Sequence, residues 1–295
     1  MSLKDLLTTA IRPDPGSRPR DDELDFFGVT HPGKVRSENQ DQFLVCTLHQ
    51  QVVVHGTSLP DADRLPLRGE RFASLFAVAD GVGSSAGGGE ASRLAIETIT
   101  RFVSSTMRSF QVAGRQAEKE FLEALRAAAL EAHDAVRAGQ AERNESKPMA
   151  TTLTLALGVW PQMYVVQVGD SRCYYHHGGT LRQVTRDQTL AQALAEQGVL
   201  QQEQVAQSPF SNVLASAIGG AEAAPVVTRF QLARGGVVLL CTDGLTKHVT
   251  DAELGERMGA ATSAEELCRQ LLDIALERGG TDNITVLVAR ANRRD

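Results

Sequence analysis

The sequence predicts an α+β domain in which amphipathic helices cover antiparallel sheets. Six apolar runs rich in Val, Leu, Ile and Thr have the length of strands and are bounded by Gly, Pro or Asp. Two long helical segments separate the second run from the third, so the strict strand–helix alternation of a doubly wound parallel sheet is absent. With 295 residues, of which 42% are hydrophobic, the chain is long enough to bury one large core.

The predicted strands determine where the other segments lie. The runs cover residues 42–48, 75–79, 151–160, 164–168, 237–242 and 284–290. The third and fourth runs flank a tight turn around Pro161 and Gln162, which predicts an antiparallel hairpin.

Three helices are predicted over residues 90–107, 117–139 and 264–278, each with apolar residues at helical spacing. Ser263 and Glu266 have the spacing of a capping box before the third helix, and Gly279 is expected to end it. Because each helix has a single apolar face, we expect the helices to cover sheets.

The remaining segments divide the chain. Residues 1–23 combine Pro, Gly and charge and are expected to form a flexible lead-in to a single domain at 24–291. Residues 49–71 contain Pro60, Pro66 and mixed charge, and are predicted to be an inserted loop. Residues 188–225 are rich in Gln and Ala, and so long an excursion from a compact domain is often functional.

Composition excludes several classes of function. A net charge of −6 argues against a general nucleic-acid-binding protein, which normally has a basic surface. No run approaches the ~20 apolar residues that span a bilayer, so no membrane association is predicted and a cytoplasmic protein is expected. The four cysteines lack metal or redox spacing and are expected to be reduced, inert thiols; they are Cys46, Cys173, Cys241 and Cys268.

Five aspartates stand at the ends of predicted strands. Asp80, Asp170 and Asp243 follow strands, whereas Asp41 and Asp282 precede them. In antiparallel sheets the exits of some strands and the entries of others share one edge, so all five carboxylates are expected to converge. Taken singly, the Asp–Gly and Asp–Asn pairs are more typical of plain turns; it is the shared position that favours a site.

Converging carboxylates require compensation. Two unit charges 4 Å apart repel by about 4 kcal/mol at an effective dielectric near 20. An all-oxygen ligand set selects Mg²⁺ or Mn²⁺ over Zn²⁺. Two such ions ~4 Å apart, bridged by one carboxylate, generate a hydroxide nucleophile from water, which suits phosphoester hydrolysis.

Six segments also resemble, in the same order, the signature motifs of the metal-dependent type 2C protein serine/threonine phosphatases (PPM/PP2C), most closely the soluble bacterial branch. They are residues 33–43, 76–92, 149–157, 165–190, 239–245 and 279–290. The resemblance implies a four-layer α/β/β/α sandwich of two antiparallel sheets flanked by helices. It also implies hydrolysis of phosphoserine and phosphothreonine in proteins that a serine/threonine kinase has phosphorylated, and we expect a monomer.

Carried over by position, the resemblance assigns metal ligands. Asp80 would bridge two Mn²⁺ or Mg²⁺ ions, and Gly81 would contribute its backbone carbonyl. Asp243 and Asp282 would complete the shell of one ion. Asp170 matches the position that holds a third, weaker ion in bacterial members.

The resemblance also assigns residues around the metals. Arg36 would bind the substrate phosphate, for which its planar guanidinium is suited, and Asp41 would orient water. Gln40, where many members have Glu, and Asn283 would lie beside the ligands. Val82 stands where many eukaryotic members have His, so no side-chain acid for the leaving oxygen is evident. Residues 188–225 match the flap next to the site.

Three other functions are compatible with parts of the sequence. A dinucleotide-binding loop fits the glycines after Asp80, but that carboxylate would repel a pyrophosphate and the βαβ unit is missing. A nuclease is disfavoured by the acidic balance. A catalytically weak or inactive phosphatase-fold binding module is the alternative that stays open, although all five aspartates are retained.

Overall fold

A computed structural model describes residues 18–51, 68–82, 87–113, 118–142 and 149–292. The strands are Leu24–His31 (β1), Gln42–Gln51 (β2), Arg68–Ala79 (β3), Gly81–Val82 (β4), Ala150–Thr151 (β5), Leu153–Val159 (β6), Gln162–Val168 (β7), Arg172–His177 (β8), Thr180–Gln183 (β9), Val226–Gln231 (β10), Val237–Cys241 (β11) and Ile284–Ala291 (β12). The α-helices are Gly87–Ala113 (α1), Glu118–Glu142 (α2), Leu190–Glu196 (α3), Asp243–Thr246 (α4), Asp251–Ala260 (α5) and Ala264–Glu277 (α6). Short 3-10 helices cover Asp21–Glu23 and Gln202–Gln207.

Two five-stranded antiparallel sheets form the centre of the molecule. One has the order β1-β12-β11-β8-β9 and the other β10-β7-β6-β3-β2, while β4 and β5 form a separate short pair. All pairs within both sheets are antiparallel, which confirms the predicted fold class.

The apolar runs are continuous because the central strands are buried on both faces. In β11, Val237, Leu239 and Cys241 pack against α5 and α6, whereas Val238 and Leu240 pack between the two sheets. A third cluster of buried residues joins the second sheet to α1 and α2. The result is the expected order of helices, sheet, sheet and helices.

The predicted hairpin and the three predicted helices are present with adjusted ends. Val159 pairs with Gln162 across the β6–β7 turn. The strand predicted at 151–160 is interrupted at Thr152, whose amide instead donates to the carbonyl of Asp80. The helix predicted from residue 90 begins at Gly87, because its glycines belong to its first turn.

The predicted loop at 49–71 is wrong at both ends. The β2 strand continues to Gln51 and β3 begins at Arg68, while residues 52–67 lie outside the described part of the chain. Since β2 is at the edge of its sheet, polar residues such as His49 can extend it without being buried on both sides.

The flexible lead-in predicted at 1–23 is wrong for residues 18–23, which form hydrogen bonds with the sandwich. Residues 1–17 lie outside the described part of the chain. Buried Arg71 donates to the carbonyl of Pro19 and to the carboxylate of Asp21, with heavy-atom distances of 2.7 and 2.8 Å. The carbonyl of Glu23 accepts a hydrogen bond from the amide of Asn292. Residues 18–23 are therefore held against the sandwich.

Within the described residues, no helix has both the length and the apolar character needed to cross a bilayer. The two sheets place the ends of β3, β7 and β11 and the starts of β2 and β12 at the same edge of the sandwich.

Candidate active site

A cavity of about 600 Å³ lies at this edge and brings together most of the predicted site residues. Its wall includes Arg36, Gln40, Asp80, Gly81, Asp170, Asp243, Asp282 and Asn283. Asn212 and Leu214, from the predicted flap segment 188–225, also line it. Of the predicted set, only Asp41 is absent from the wall, because its side chain is buried behind it.

A second cavity, of about 830 Å³, lies at the opposite edge of the first sheet. Glycine is the commonest residue type in its wall, and His176, Asp251 and Arg290 are among its polar residues. None of the aspartates predicted as metal ligands lines it, so the converging carboxylates identify the smaller cavity as the candidate site.

The backbone of Asp80 is clamped at the end of β3. Its amide donates to the hydroxyl of Thr152 at 2.9 Å, and its carbonyl accepts from the amide of Thr152 and the hydroxyl of Thr151. At the next position, a Cβ on Gly81 would lie 2.4 Å from the backbone of Gly88. Only glycine fits there, which brings the first turn of α1 against the candidate ligand loop.

Asp41 is a buried carboxylate with one satisfied oxygen. Its Oδ2 accepts hydrogen bonds from Thr242 at 2.8 Å and Thr285 at 2.7 Å, while no described residue donates to its Oδ1. Burial raises the pKa of Asp41 to about 7, although the two threonine hydroxyls act in the opposite direction. Repulsion from Asp243 and Asp282 adds to the increase.

Asp80 and Asp170 carry the same electrostatic signature. Burial, followed by repulsion from Asp41 and Asp243, raises the pKa of Asp80 well above its usual range. Burial and then repulsion from Asp243 raise the pKa of Asp170 to about 7. Both carboxylates are therefore undercompensated in the described chain.

Two cations occupy the outer side of the cavity. Arg36 forms a bidentate pair with Asp282, with nitrogen–oxygen distances of 2.8 and 3.0 Å. The ammonium of Lys247 lies 2.6 Å from Oδ2 of Asp243 and 2.9 Å from Oδ2 of Asp282. Burial alone would raise the pKa of Asp282, but the hydrogen bonds from these two cations hold it below its usual range.

Asn283 positions the loop that carries Arg36. Its side-chain nitrogen donates to the carbonyls of Pro32 and Glu38, and its Oδ1 accepts from the amide of Gln40. The carbonyl of Gln40 in turn accepts from the hydroxyl of Ser92 in α1 at 2.6 Å. Gln40 and Asn283 thus connect three elements around the cavity.

The donor set fits a hard divalent ion. All the converging side chains are carboxylates, and the buried Oδ1 atoms of Asp41 and Asp243 have no hydrogen-bond donor among the described residues. However, no three acidic, His or Cys side chains in the described ranges are close enough to form a preassembled metal site. Lys247 contacts two of these carboxylates, so an ion that bound them would share their oxygens with its ammonium.

Lys247 is the residue that sequence reasoning missed. It stands four positions after Asp243, a spacing that places the two on one face of a helical turn, so the local pair was recognisable. Its contact with Asp282, 35 residues away in sequence, depends on the fold.

Two antiparallel sheets between helical layers, with an acidic cavity at one edge, define the fold of the PPM phosphatases. The crystal structure of the Mycobacterium tuberculosis serine/threonine phosphatase PstP/Ppp is similar with a TM-score of 0.72 and 27% identity, covering 92% of this chain and 99% of that one. The catalytic domain of PstP in complex with two manganese ions is similar with a TM-score of 0.69 and 28% identity, over 92% and 99% of the two chains.

Sequence comparison gives the family. The Protein phosphatase 2C family model matches residues 53–282, and the chain belongs to that family. The serine/threonine protein phosphatase PstP of M. tuberculosis is 33% identical over 217 residues, which are 74% of this chain but only 40% of PstP. The chain therefore matches less than half the length of that relative. The serine/threonine phosphatase stp of Listeria monocytogenes is 30% identical over 72% of this chain and 83% of its own.

Proposed function

We propose that this chain is a metal-dependent protein serine/threonine phosphatase that uses two Mn²⁺ or Mg²⁺ ions. The observation that carries the proposal is the convergence of Asp80, Asp170, Asp243 and Asp282 on one cavity, with Asp41 buried behind them. Arg36 and Lys247 offset only part of the charge of these five carboxylates, so the cluster calls for divalent cations. The relatives named above support the reaction class, and one neighbouring structure is a complex with two manganese ions.

In this proposal Asp80, the carbonyl of Gly81, Asp243 and Asp282 hold the two ions, and Asp170 holds a third, weaker one. Bound divalent ions supply the charge that activates water and stabilises the phosphate during its transfer. Every other contribution comes from the chain itself.

The surrounding residues have separate tasks in the same proposal. The guanidinium of Arg36 releases Asp282 and binds the substrate phosphate, because a planar guanidinium can bind two phosphate oxygens at once. Asp41 orients the attacking water, for which its unpartnered Oδ1 is an available acceptor. Val82 lines the cavity but supplies no proton, so the leaving serine or threonine oxygen takes its proton from water.

We extend the proposal to the cellular setting of the chain. Residues 24–291 form one phosphatase domain that acts as a cytoplasmic monomer on proteins phosphorylated by a serine/threonine kinase. Nucleic acid and membranes are not partners. Residues 188–225 influence the choice of substrate, which is supported by the positions of Asn212 and Leu214 in the cavity wall.

A second candidate function is a catalytically weak or inactive module with the phosphatase fold. It is favoured by the pairing of Asp243 and Asp282 with Lys247 and Arg36, and by the absence of a preassembled ligand cluster in the described residues. Metal-dependent hydrolysis of a phosphorylated substrate separates the two candidates.

The test is hydrolysis of a phosphothreonine peptide and an aryl phosphate by EDTA-treated protein before and after Mn²⁺ addition. We expect activity only with the metal. Asp243→Asn should lower the Mn²⁺-dependent activity by about 100-fold or more. Substitution of a residue that only hydrogen-bonds to a metal ligand already costs about 10–100-fold. Asp273→Asn, at an exposed position of α6, is the matched control. Activity that survives chelation contradicts the mechanism, and Mn²⁺ binding without hydrolysis supports the inactive module.

A further inference from the structure

Lys247 occupies an unusual position for a lysine. Its ammonium contacts Oδ2 of both Asp243 and Asp282, two of the carboxylates that line the cavity. Its backbone is fixed as well, because Lys247 is the residue that caps the end of α4. Its amide donates to the carbonyl of Asp243, the first residue of that helix. The lysine is thus part of the acidic centre.

The ammonium and a divalent ion require the same oxygens. A lysine ammonium is a compact point charge with three donors, so it can satisfy two carboxylates as a small cation does. A lysine side chain ordinarily has a pKa of about 10.4, so the ammonium is charged at neutral pH. The lysine therefore stays charged while it holds the pair.

There is space for the ammonium to move away. Lys247 also lines an adjacent cavity of about 690 Å³, which shares Asp170 and Asp243 with the candidate site and continues past Gln183 and Gln192. The side chain of Lys247 is 29% exposed, and its four-carbon stem is flexible. A bound ion could displace the ammonium without a change in the backbone.

We infer that Lys247 is a built-in competitor for divalent cations at the Asp243–Asp282 pair. In the metal-free chain it holds the two carboxylates together, and ion binding displaces it towards the adjacent cavity. The inference rests on the proposed function, because it takes these two aspartates as metal ligands. It predicts that the lysine weakens metal binding while it stabilises the metal-free protein.

The test is Mn²⁺ titration calorimetry on the metal-stripped full chain and three variants, at about pH 7.5. Lys247→Met removes the charge and keeps the stem, and we expect it to lower the Kd for Mn²⁺ by about tenfold, which equals about 1.4 kcal/mol. Lys247→Arg retains the charge and should stay within about twofold of the parent chain. Lys119→Met makes the same substitution at an exposed position of α2 and should leave the Kd unchanged.

Thermal unfolding supplies a second readout. Metal-free Lys247→Met should unfold at a lower temperature than the parent chain, and Mn²⁺ should raise its Tm by a larger amount. A Kd that is unchanged or weaker in Lys247→Met overturns the inference, and so does an equal gain in Lys119→Met. If hydrolysis still depends on Mn²⁺ in that case, the proposed function stands alone. If none of the proteins binds Mn²⁺, both fail.

Discussion

Asp41 shows how two neighbouring strands hold a single buried carboxylate. Thr242 follows β11 and Thr285 lies in β12, and both hydroxyls reach the same carboxylate oxygen. Two adjacent strands thereby hold one buried side chain, which is 1% exposed. No described residue donates to the remaining oxygen.

Thr285→Val tests this arrangement. Removing a donor from a buried carboxylate should lower the free energy of unfolding by about 1–3 kcal/mol. It should also move the acidic limb of the hydrolysis profile to higher pH, because the lost hydrogen bond had lowered the pKa of Asp41. Urea unfolding and a pH–rate profile measure the two effects.

Thr285→Ser is the control, since it keeps the hydroxyl. If the valine variant unfolds like the parent chain with the same pH profile, Asp41 does not depend on this donor.

At the same scale, the positions of the aspartates were predictable but their partners were not. Asp80, Asp170 and Asp243 follow apolar strands in the sequence, and an antiparallel sheet brings such ends together whatever the details of packing. Nothing in the sequence indicates that Arg36 pairs with Asp282, because that contact depends on the loop held by Asn283.

Helix ends show how far local patterns determine an element. The predicted capping box before α6 is only half formed: Ser263 accepts from the amide of Glu266, but the carboxylate of Glu266 bonds Thr262 and Gln270. Asp25 of β1 instead accepts from the amide of Ala264. A residue distant in sequence thus satisfies a different amide of the first turn from the one that a capping box would use.

Ser263→Ala should therefore destabilise the protein more than Glu266→Ala does. Loss of the serine cap costs about 1 kcal/mol, whereas an exposed glutamate outside the cap changes stability by at most about 0.5 kcal/mol. Urea unfolding of the two variants at equal ionic strength gives the comparison. Equal losses would mean that Glu266 contributes to the cap after all.

The elements that were not predicted lack the apolar pattern typical of a buried strand or an amphipathic helix. The β8 strand contains Arg172, Cys173, Tyr174 and Tyr175 but no β-branched residue, and β10 is a half-exposed edge strand. The helix α5 does carry a complete capping box, in which Thr250 and Glu253 bond each other's amides. The helix was not predicted because its apolar face is weak and polar residues surround it in the sequence.

For the whole molecule, the main architecture followed from the order and burial of its strands. Apolar runs without a helix between each pair require antiparallel sheets, and burial on both faces requires a sandwich with helices outside it. The same arrangement gathers carboxylates at one edge, so like charges are concentrated around a single cavity.

The cluster of carboxylates at one edge predicts how the stability of the whole molecule depends on pH. The pKa of Asp41 and that of Asp170 are raised to about 7, whereas an unfolded Asp has a pKa of about 3.9. Between these values the folded, metal-free protein binds more protons than the unfolded chain does, so its stability falls as pH rises from about 4 towards 7. The lowered pKa of His176, caused by burial, acts in the opposite direction below about pH 6.5.

In EDTA, the free energy of unfolding should be lower near pH 7.5 than near pH 5.5 by about 2 kcal/mol for each of these two carboxyl groups, since one pKa unit corresponds to about 1.4 kcal/mol. Asp41→Asn, which cannot ionise, should remove the contribution of Asp41 and leave a shallower slope from the remaining carboxyl groups. Mn²⁺ should reverse the trend, because a divalent ion takes the place of the protons and binds only ionised carboxylates. The stabilisation by Mn²⁺ should therefore be larger near pH 7.5. Stability that rises with pH in EDTA would instead mean that Arg36 and Lys247 already compensate the ionised cluster.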